Sequence, residues 1–179
     1  MTANAMRYGF APIVFALTLP ALVPGHGSPA LAQDVSFIET HRDWHAFQYT
    51  EGGDPVCYIA SKPTSEEGDY TVRGDVYVLV THRPAENSRN VVSFITGYTY
   101  QEDSEVDVTI GDNEFSLFTH EDTAWARDSS TDDALVDAMR AGVNMVVEGT
   151  SSRGTETTDT YSLMGFTAAM GEIDDACDM

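Results

Sequence analysis

The sequence predicts an all-β fold, mostly an antiparallel β-sandwich, with one short interior helix near residues 132–141 and a short C-terminal helix. Three observations carry this. Apolar and polar residues alternate in segment after segment, turn-forming residues divide those segments, and only two stretches of the folded part show helical period.

The predicted strands run Trp44 to Tyr49, Val56 to Ala60, Val76 to Thr81, Val91 to Tyr98, Val106 to Ile110, Phe115 to Phe118, Val143 to Glu148 and Thr160 to Phe166. Gly52-Gly53-Asp54-Pro55 separates the first two, and Gly111-Asp112-Asn113 is short enough to join the fifth and sixth as a hairpin. In one interior stretch, Asp132 to Ala141, Leu135, Val136 and Met139 fall on one helical face with Ala134 and Ala138 beside them. Ser130 or Thr131 is placed to cap that helix, Asp132 and Asp133 suit its positive end, Arg140 its negative end, and Gly142 a left-handed stop. Phe166, Ala169, Met170 and Ile173 repeat at helical spacing and give the C-terminal helix. Sandwich and barrel stay open, since both bury alternating strands.

Residues 1–32 have the layout of a removable export signal: Arg7 as the only charge, an apolar stretch from Phe10 to Val23, then Ala30-Leu31-Ala32. Cleavage is expected between Ala32 and Gln33. The apolar run is too short for ~30 Å of hydrocarbon and is broken by Pro20 and Pro24, so no stable membrane insertion is expected after cleavage. Residues 33–179 are then expected to form one domain, periplasmic, extracellular or at the cell surface.

The formal charge of −20 becomes −21 once Arg7 leaves with the signal. So acidic a chain is a poor partner for nucleic acid or anionic lipid, both of which need basic surface. A solvated, aggregation-resistant shell explains it more simply than attraction of a cationic partner. After export Cys57 and Cys177 are expected to pair as a disulfide closing most of the chain into one loop. A catalytic or metal-bound thiol is disfavoured, because there is no C-x-x-C and no third cysteine.

The sequence offers no catalytic residue, no cofactor site and no metal ligand set. His41 and His45 stand four apart, but Trp44-His45-Ala46-Phe47 reads as a strand entry, and no third ligand is near; His82 and His120 could approach in space, but solvent-facing or core-satisfied histidines are the favoured reading. Arg73-Gly74-Asp75 spells an adhesion tripeptide, yet it runs directly into a strand, so Arg73 and Asp75 are expected to face water at the strand start. Glu102-Asp103 with Glu105 and Asp107, Asp174-Asp175 and Glu66-Glu67 lack the register of a calcium loop and read as solvated turns. The G-x-S-x-G, S-x-x-K and H-E-x-x-H patterns are missing, whereas a carboxylate pair for glycoside hydrolysis would leave no motif.

One set of short blocks is more specific. Asp54-Pro55-Val56-Cys57-Tyr58-Ile59, Gly97-Tyr98, Ala124-Trp125, Ala138-Met139-Arg140-Ala141-Gly142, Ser152-Arg153-Gly154-Thr155, Asp159-Thr160-Tyr161-Ser162-Leu163, Gly165-Phe166-Thr167 and the closing Cys177 together resemble the invasion-associated locus B family of alphaproteobacteria. The resemblance covers nearly all of residues 33–179. It implies an exported envelope protein without established catalytic activity; the family is named for a locus linked to red-cell invasion, a label that need not transfer, since many members come from free-living bacteria.

Within the matched blocks, Trp125 and Phe166 are expected in the core, and Gly142 and Gly154 where a Cβ is disfavoured. Arg153 is expected to lock a turn or offer a fork to a carboxylate, and Tyr98 and Tyr161 to line a sugar-binding face or sit half-buried in strands. The function expected is that of a non-catalytic accessory module binding an unidentified protein or envelope component. The alternatives are an envelope polysaccharide hydrolase using a carboxylate pair and a purely structural acidic envelope protein.

Overall fold

In a computed structural model that describes residues 34–179, eleven strands join into one antiparallel sheet. They are β1 Ser36–His41, β2 Trp44–Glu51, β3 Asp54–Ser61, β4 Ser65–Gly68, β5 Tyr77–Arg83, β6 Ser88–Ile95, β7 Glu105–Ile110, β8 Asn113–His120, β9 Thr123–Trp125, β10 Asn144–Thr150 and β11 Glu156–Ser162; the helices are α1 Ser129–Ala141 and α2 Phe166–Ala176. The order across the sheet is β1-β2-β3-β5-β6-β9-β8-β7-β10-β11-β4. No helix among the described residues is long and apolar enough to cross a membrane.

The sheet folds over so that its two halves face each other around a shared core, which gives a sandwich hydrogen-bonded continuously through the short β9. Phe94 of β6 meets Tyr161 of β11 edge-on at 6.3 Å, and the Trp44 indole N–H of β2 donates to the Ser162 carbonyl at 3.0 Å. Period-two alternation makes this possible: Val78 and Val80, Val106 and Val108, and Met145 and Val147 all point inward from their strands. The predicted hairpin forms with Gly111-Asp112 as its loop, closing Ile110 against Asn113.

Three strands go beyond the sequence reading. β1 and β4 are the edges, β1 carrying a bulge and β4 exposed throughout, so neither shows the alternation that burial of one face produces; β9 has only three residues. The last strand is Glu156–Ser162, not Thr160 to Phe166. Its inward face consists of Thr157, Asp159 and Tyr161, and two polar residues mask the period. Trp125 is half-buried beside Phe118 on the outer surface, because Ala124 takes the inward position of β9.

Asp128, rather than Ser130 or Thr131, caps α1, its carboxylate accepting from the Thr131 N–H at 2.9 Å. Gly142 ends the helix in an extended conformation with φ −81°, not a left-handed one. A Cβ there would land 2.6 Å from Ile110 Cγ2, so close packing is what requires glycine.

The disulfide between Cys57 and Cys177 fastens α2 to β3. Beside it, fully buried His82 accepts the Asn90 N–H at Nδ1, which leaves Nε2–H to donate to Asp174 of α2; both contacts measure 3.0 Å. Arg140 of α1 approaches the same carboxylate at 3.5 Å. The acidic pair Asp174-Asp175 thus includes a residue that joins both helices to the sheet.

Asp132, in the first turn of α1, accepts the Val92 N–H of β6 at 2.9 Å and is only 7% exposed. Burial pushes its pKa up to about 6 from 3.8 against the lowering effect of that N–H, with Asp133 and Asp128 adding to the rise. The folded state therefore holds this proton more tightly than the unfolded one. Its stabilising contribution is full below about pH 4, declines as pH rises from 4 to 6, and is lost above. Asp132→Asn, neutral at every pH and still able to accept from Val92, is expected to gain about 2 kcal/mol over the native chain at pH 7.5 and nothing at pH 4. Urea titrations at the two pH values check this; a gain independent of pH would contradict it.

Candidate binding groove

The concave feature of most interest lies at the end of the sandwich where the chain crosses between its halves. After β4 the segment 69–76 returns to β5 without regular structure, and the Gly74 N–H donates to the Gly97 carbonyl at 2.9 Å. The two backbones pack so closely that Gly97, at φ +72°, has no room for a Cβ; one would lie 2.7 Å from the Gly74 carbonyl carbon. Facing this segment is the turn between β10 and β11. Ser151 Oγ accepts the N–H groups of Arg153 and Thr155 at 3.3 and 3.1 Å, and the Ser152 N–H reaches the Thr99 carbonyl at 2.8 Å.

Between these walls is an open groove of about 580 Å³. Tyr70, Tyr98 and Arg153 line it together with the hydroxyl-bearing residues Thr71, Thr99, Ser152 and Thr155; Asp69 is the one carboxylate among its lining residues. That volume is of the size that accepts a small ligand, but its lining is hydroxyl-rich rather than apolar.

Arg73 forms the floor. It does not face water as the sequence suggested: its side chain is 3% exposed and grips Asp159 of β11, itself 5% exposed, through two parallel bonds of 2.6 Å. Its remaining donors reach the Thr96 carbonyl at 2.7 Å and the Thr96 hydroxyl at 3.0 Å, and its guanidinium lies 5.5 Å from the Tyr70 ring centre and 5.1 Å from that of Tyr98. Burial opposes the charge, but the hydrogen bonds and charge of Asp159 outweigh it and hold the Arg73 pKa above its ordinary value. Arg73-Gly74-Asp75 is consequently not displayed as an adhesion tip: Asp75 binds Lys62 at 3.0 Å and Arg73 is enclosed.

Of the three residues the sequence offered as partner-binding, the structure brings Tyr98 and Arg153 to the groove and removes Tyr161. Tyr161 is 1% exposed in the core, because strand parity sends it inward with Thr157 and Asp159, and burial raises its pKa. Tyr98 donates to or accepts from Thr157 Oγ1 at 2.6 Å, which fixes its ring at the wall. Arg153 is exposed, and among the described residues no carboxylate lies within ion-pair distance of it; Arg42 and Arg89 are likewise without one, but neither lines the groove, and Lys62, Arg73, Arg83, Arg127 and Arg140 each hold one. Tyr70 was missed, since nothing in its local pattern marks it and Tyr98 and Arg153, with which it shares the groove, lie far away in sequence.

The histidines are not brought together as the i, i+4 pair. His45 bonds Thr40 at 2.8 Å, while His41 reaches Glu172 of α2 at 3.0 Å. His41 instead lies beside two carboxylates, atoms of Glu39, His41 and Glu172 being within 4.8 Å of one another where α2 crosses the β1 edge. His82 is committed to Asp174 and Asn90, and His120 ends β8.

The family model described as Invasion associated locus B (IalB) protein matches residues 44–174. The chain is also similar to a solved structure, that of invasion associated protein B from Bartonella henselae, with a TM-score of 0.55 and 15% identity over 78% of this chain and 96% of that one. At that identity the likeness concerns the fold. No curated protein matches the chain.

Proposed function

From the premise that the chain belongs to the invasion-associated locus B family, we propose that it is an exported, non-catalytic accessory module that binds a component of the cell envelope through the groove between Tyr70, Tyr98 and Arg153. The observation that carries this reading is an unpaired arginine at the mouth of a preformed groove in a chain of formal charge −20. Of the three described arginines without a carboxylate in ion-pair range, Arg42, Arg89 and Arg153, this is the one that lines the groove, where its fork is left for a ligand. The signal-like residues 1–32 and the Cys57–Cys177 bond support export to an oxidising compartment, periplasmic or at the cell surface.

The hydrolase alternative draws less support. Glycoside hydrolysis takes two carboxylates flanking the scissile bond, and the groove lining contributes Asp69 alone, while the nearby Asp159 has both oxygens committed to Arg73. The test is sedimentation of the mature protein with sacculi and with outer-membrane vesicles from an alphaproteobacterium. Native protein is expected to co-sediment with one fraction, and Arg153→Glu to lose about ten-fold or more in affinity while keeping its fold. Turnover of sugar, ester or peptide reporters that vanished on substitution of one acidic residue would show the reading to be wrong.

A further inference from the structure

The chemistry of the groove narrows the class of ligand, on the footing that the groove is where this protein binds. We propose that it takes a saccharide bearing an isolated carboxylate, with the Arg153 guanidinium on the carboxylate and the sugar ring against Tyr70 and Tyr98.

Four observations converge. Thr71, Thr99, Ser152 and Thr155 of the lining carry hydroxyls that can each donate and accept, which matches sugar hydroxyls and would be wasted on an apolar side chain. Tyr70 and Tyr98 add rings with apolar faces and polar tips, the surface that a sugar's C–H face and hydroxyl rim require. Arg153 supplies one cation, and a forked one; the rest of the chain is so acidic that a densely anionic polymer would be repelled, so the ligand carries one carboxylate per groove rather than a run of them.

The fourth observation is rigidity. Both walls are fixed before any ligand arrives: the first by the Arg73–Asp159 fork and the Gly74–Gly97 contact, the second by the bonds converging on Ser151 Oγ. Tyr98 is held by Thr157 and by the guanidinium beneath it. Polar ligands gain affinity chiefly when the groups that meet them need no reordering, and Arg73 acts here as a positioning residue without touching the ligand. An acidic peptide is the less suitable occupant, because the groove presents hydroxyls and rings rather than a free strand edge for backbone pairing.

Amide chemical shifts of the mature protein, followed during titration, test the proposal. The ligands are a tetrasaccharide alternating glucuronate with N-acetylglucosamine, its methyl ester, neutral chitotetraose and inorganic phosphate. The acidic tetrasaccharide is expected to move the signals of Gly97, Thr99, Ser152 and Arg153, and to bind about ten-fold or more tightly than the ester or chitotetraose. Arg153→Gln, an exposed change that preserves the dispersed spectrum, is expected to abolish that difference, and Arg153→Lys to restore only part of it. Equal binding of acid and ester, phosphate competing as well as the sugar, or no shift in the groove with any saccharide would overturn the proposal. If in that event Arg153→Glu still released the protein from the envelope fractions, the groove would remain the binding site with a ligand of another class. If it did not, the binding reading itself would fall.

Discussion

Arg73→Met is expected to destabilise the protein by about 3–5 kcal/mol, the cost of leaving the Asp159 carboxylate buried without its counter-ion. The exposures decide the magnitude. With Arg73 at 3% and Asp159 at 5%, water cannot replace the lost donors, so the exposed-pair value of under about 1 kcal/mol does not apply. Removing both charges is a different experiment: Arg73→Met with Asp159→Leu no longer strands a charge, and most of the loss should return. Arg73→Lys should fall between, because an ammonium cannot grip both carboxylate oxygens and the Thr96 carbonyl together. Urea unfolding of the native protein, Arg73→Met, Asp159→Leu and the double variant measures this double-mutant cycle, with Arg73→Lys alongside; equal losses in Arg73→Met and the double variant would show that packing, not charge, sets the cost. The double variant also separates stability from function. It should fold, yet its 69–73 segment has lost the fork that holds one wall of the groove, so envelope binding should weaken even where stability is regained.

The same ion pair marks the limit of what could be read from the sequence. Alternation located seven strands and overlapped an eighth because one face of each is buried residue by residue, most plainly at Val106, Val108 and Ile110 of β7, and the Gly111-Asp112 turn and both helices follow from equally local chemistry. The exposed expectation for Arg73 failed since a basic residue before a strand reads as solvated unless its partner is known, and Asp159 lies 86 residues further on. Asp159 in turn obscured the alternation of β11, displacing that strand in the sequence reading and hiding the inward orientation of Tyr161. A hint was available: an acid between Thr157 and Tyr161 in a threonine-rich stretch calls for a buried cation. The groove was half legible, through Tyr98 and Arg153. Its other wall could not be, for Tyr70 comes to face them only after the chain has crossed from one half of the folded sheet to the other.

Removal of the Cys57–Cys177 bond should cost most of the protein's stability without erasing its fold. The bond spans 120 residues, and in the chain-entropy account closure of so long a loop withholds about 5 kcal/mol of freedom from the unfolded state. Domains of this size are stable by only about 5–15 kcal/mol, so the reduced chain should be marginal at 37 °C. Contacts already in the structure argue against complete collapse. α2 is also held by Trp44 packing on Phe166 at 4.9 Å, by Asp174 bonded to His82, and by the inward faces of Met170 and Ile173. Cys57→Ala with Cys177→Ala should therefore show near-native circular dichroism in the cold, a urea midpoint far below that of the oxidised protein, and its fastest amide exchange in the last turns of α2. Intact mass before and after reduction establishes the starting point, with two cysteines labelled only once reductant is added. Should the alanine pair unfold at the native midpoint, the bond would be incidental, and the tether of α2 would rest on its buried face, with Phe166 against Trp44, and on its polar contacts to His82 and His41.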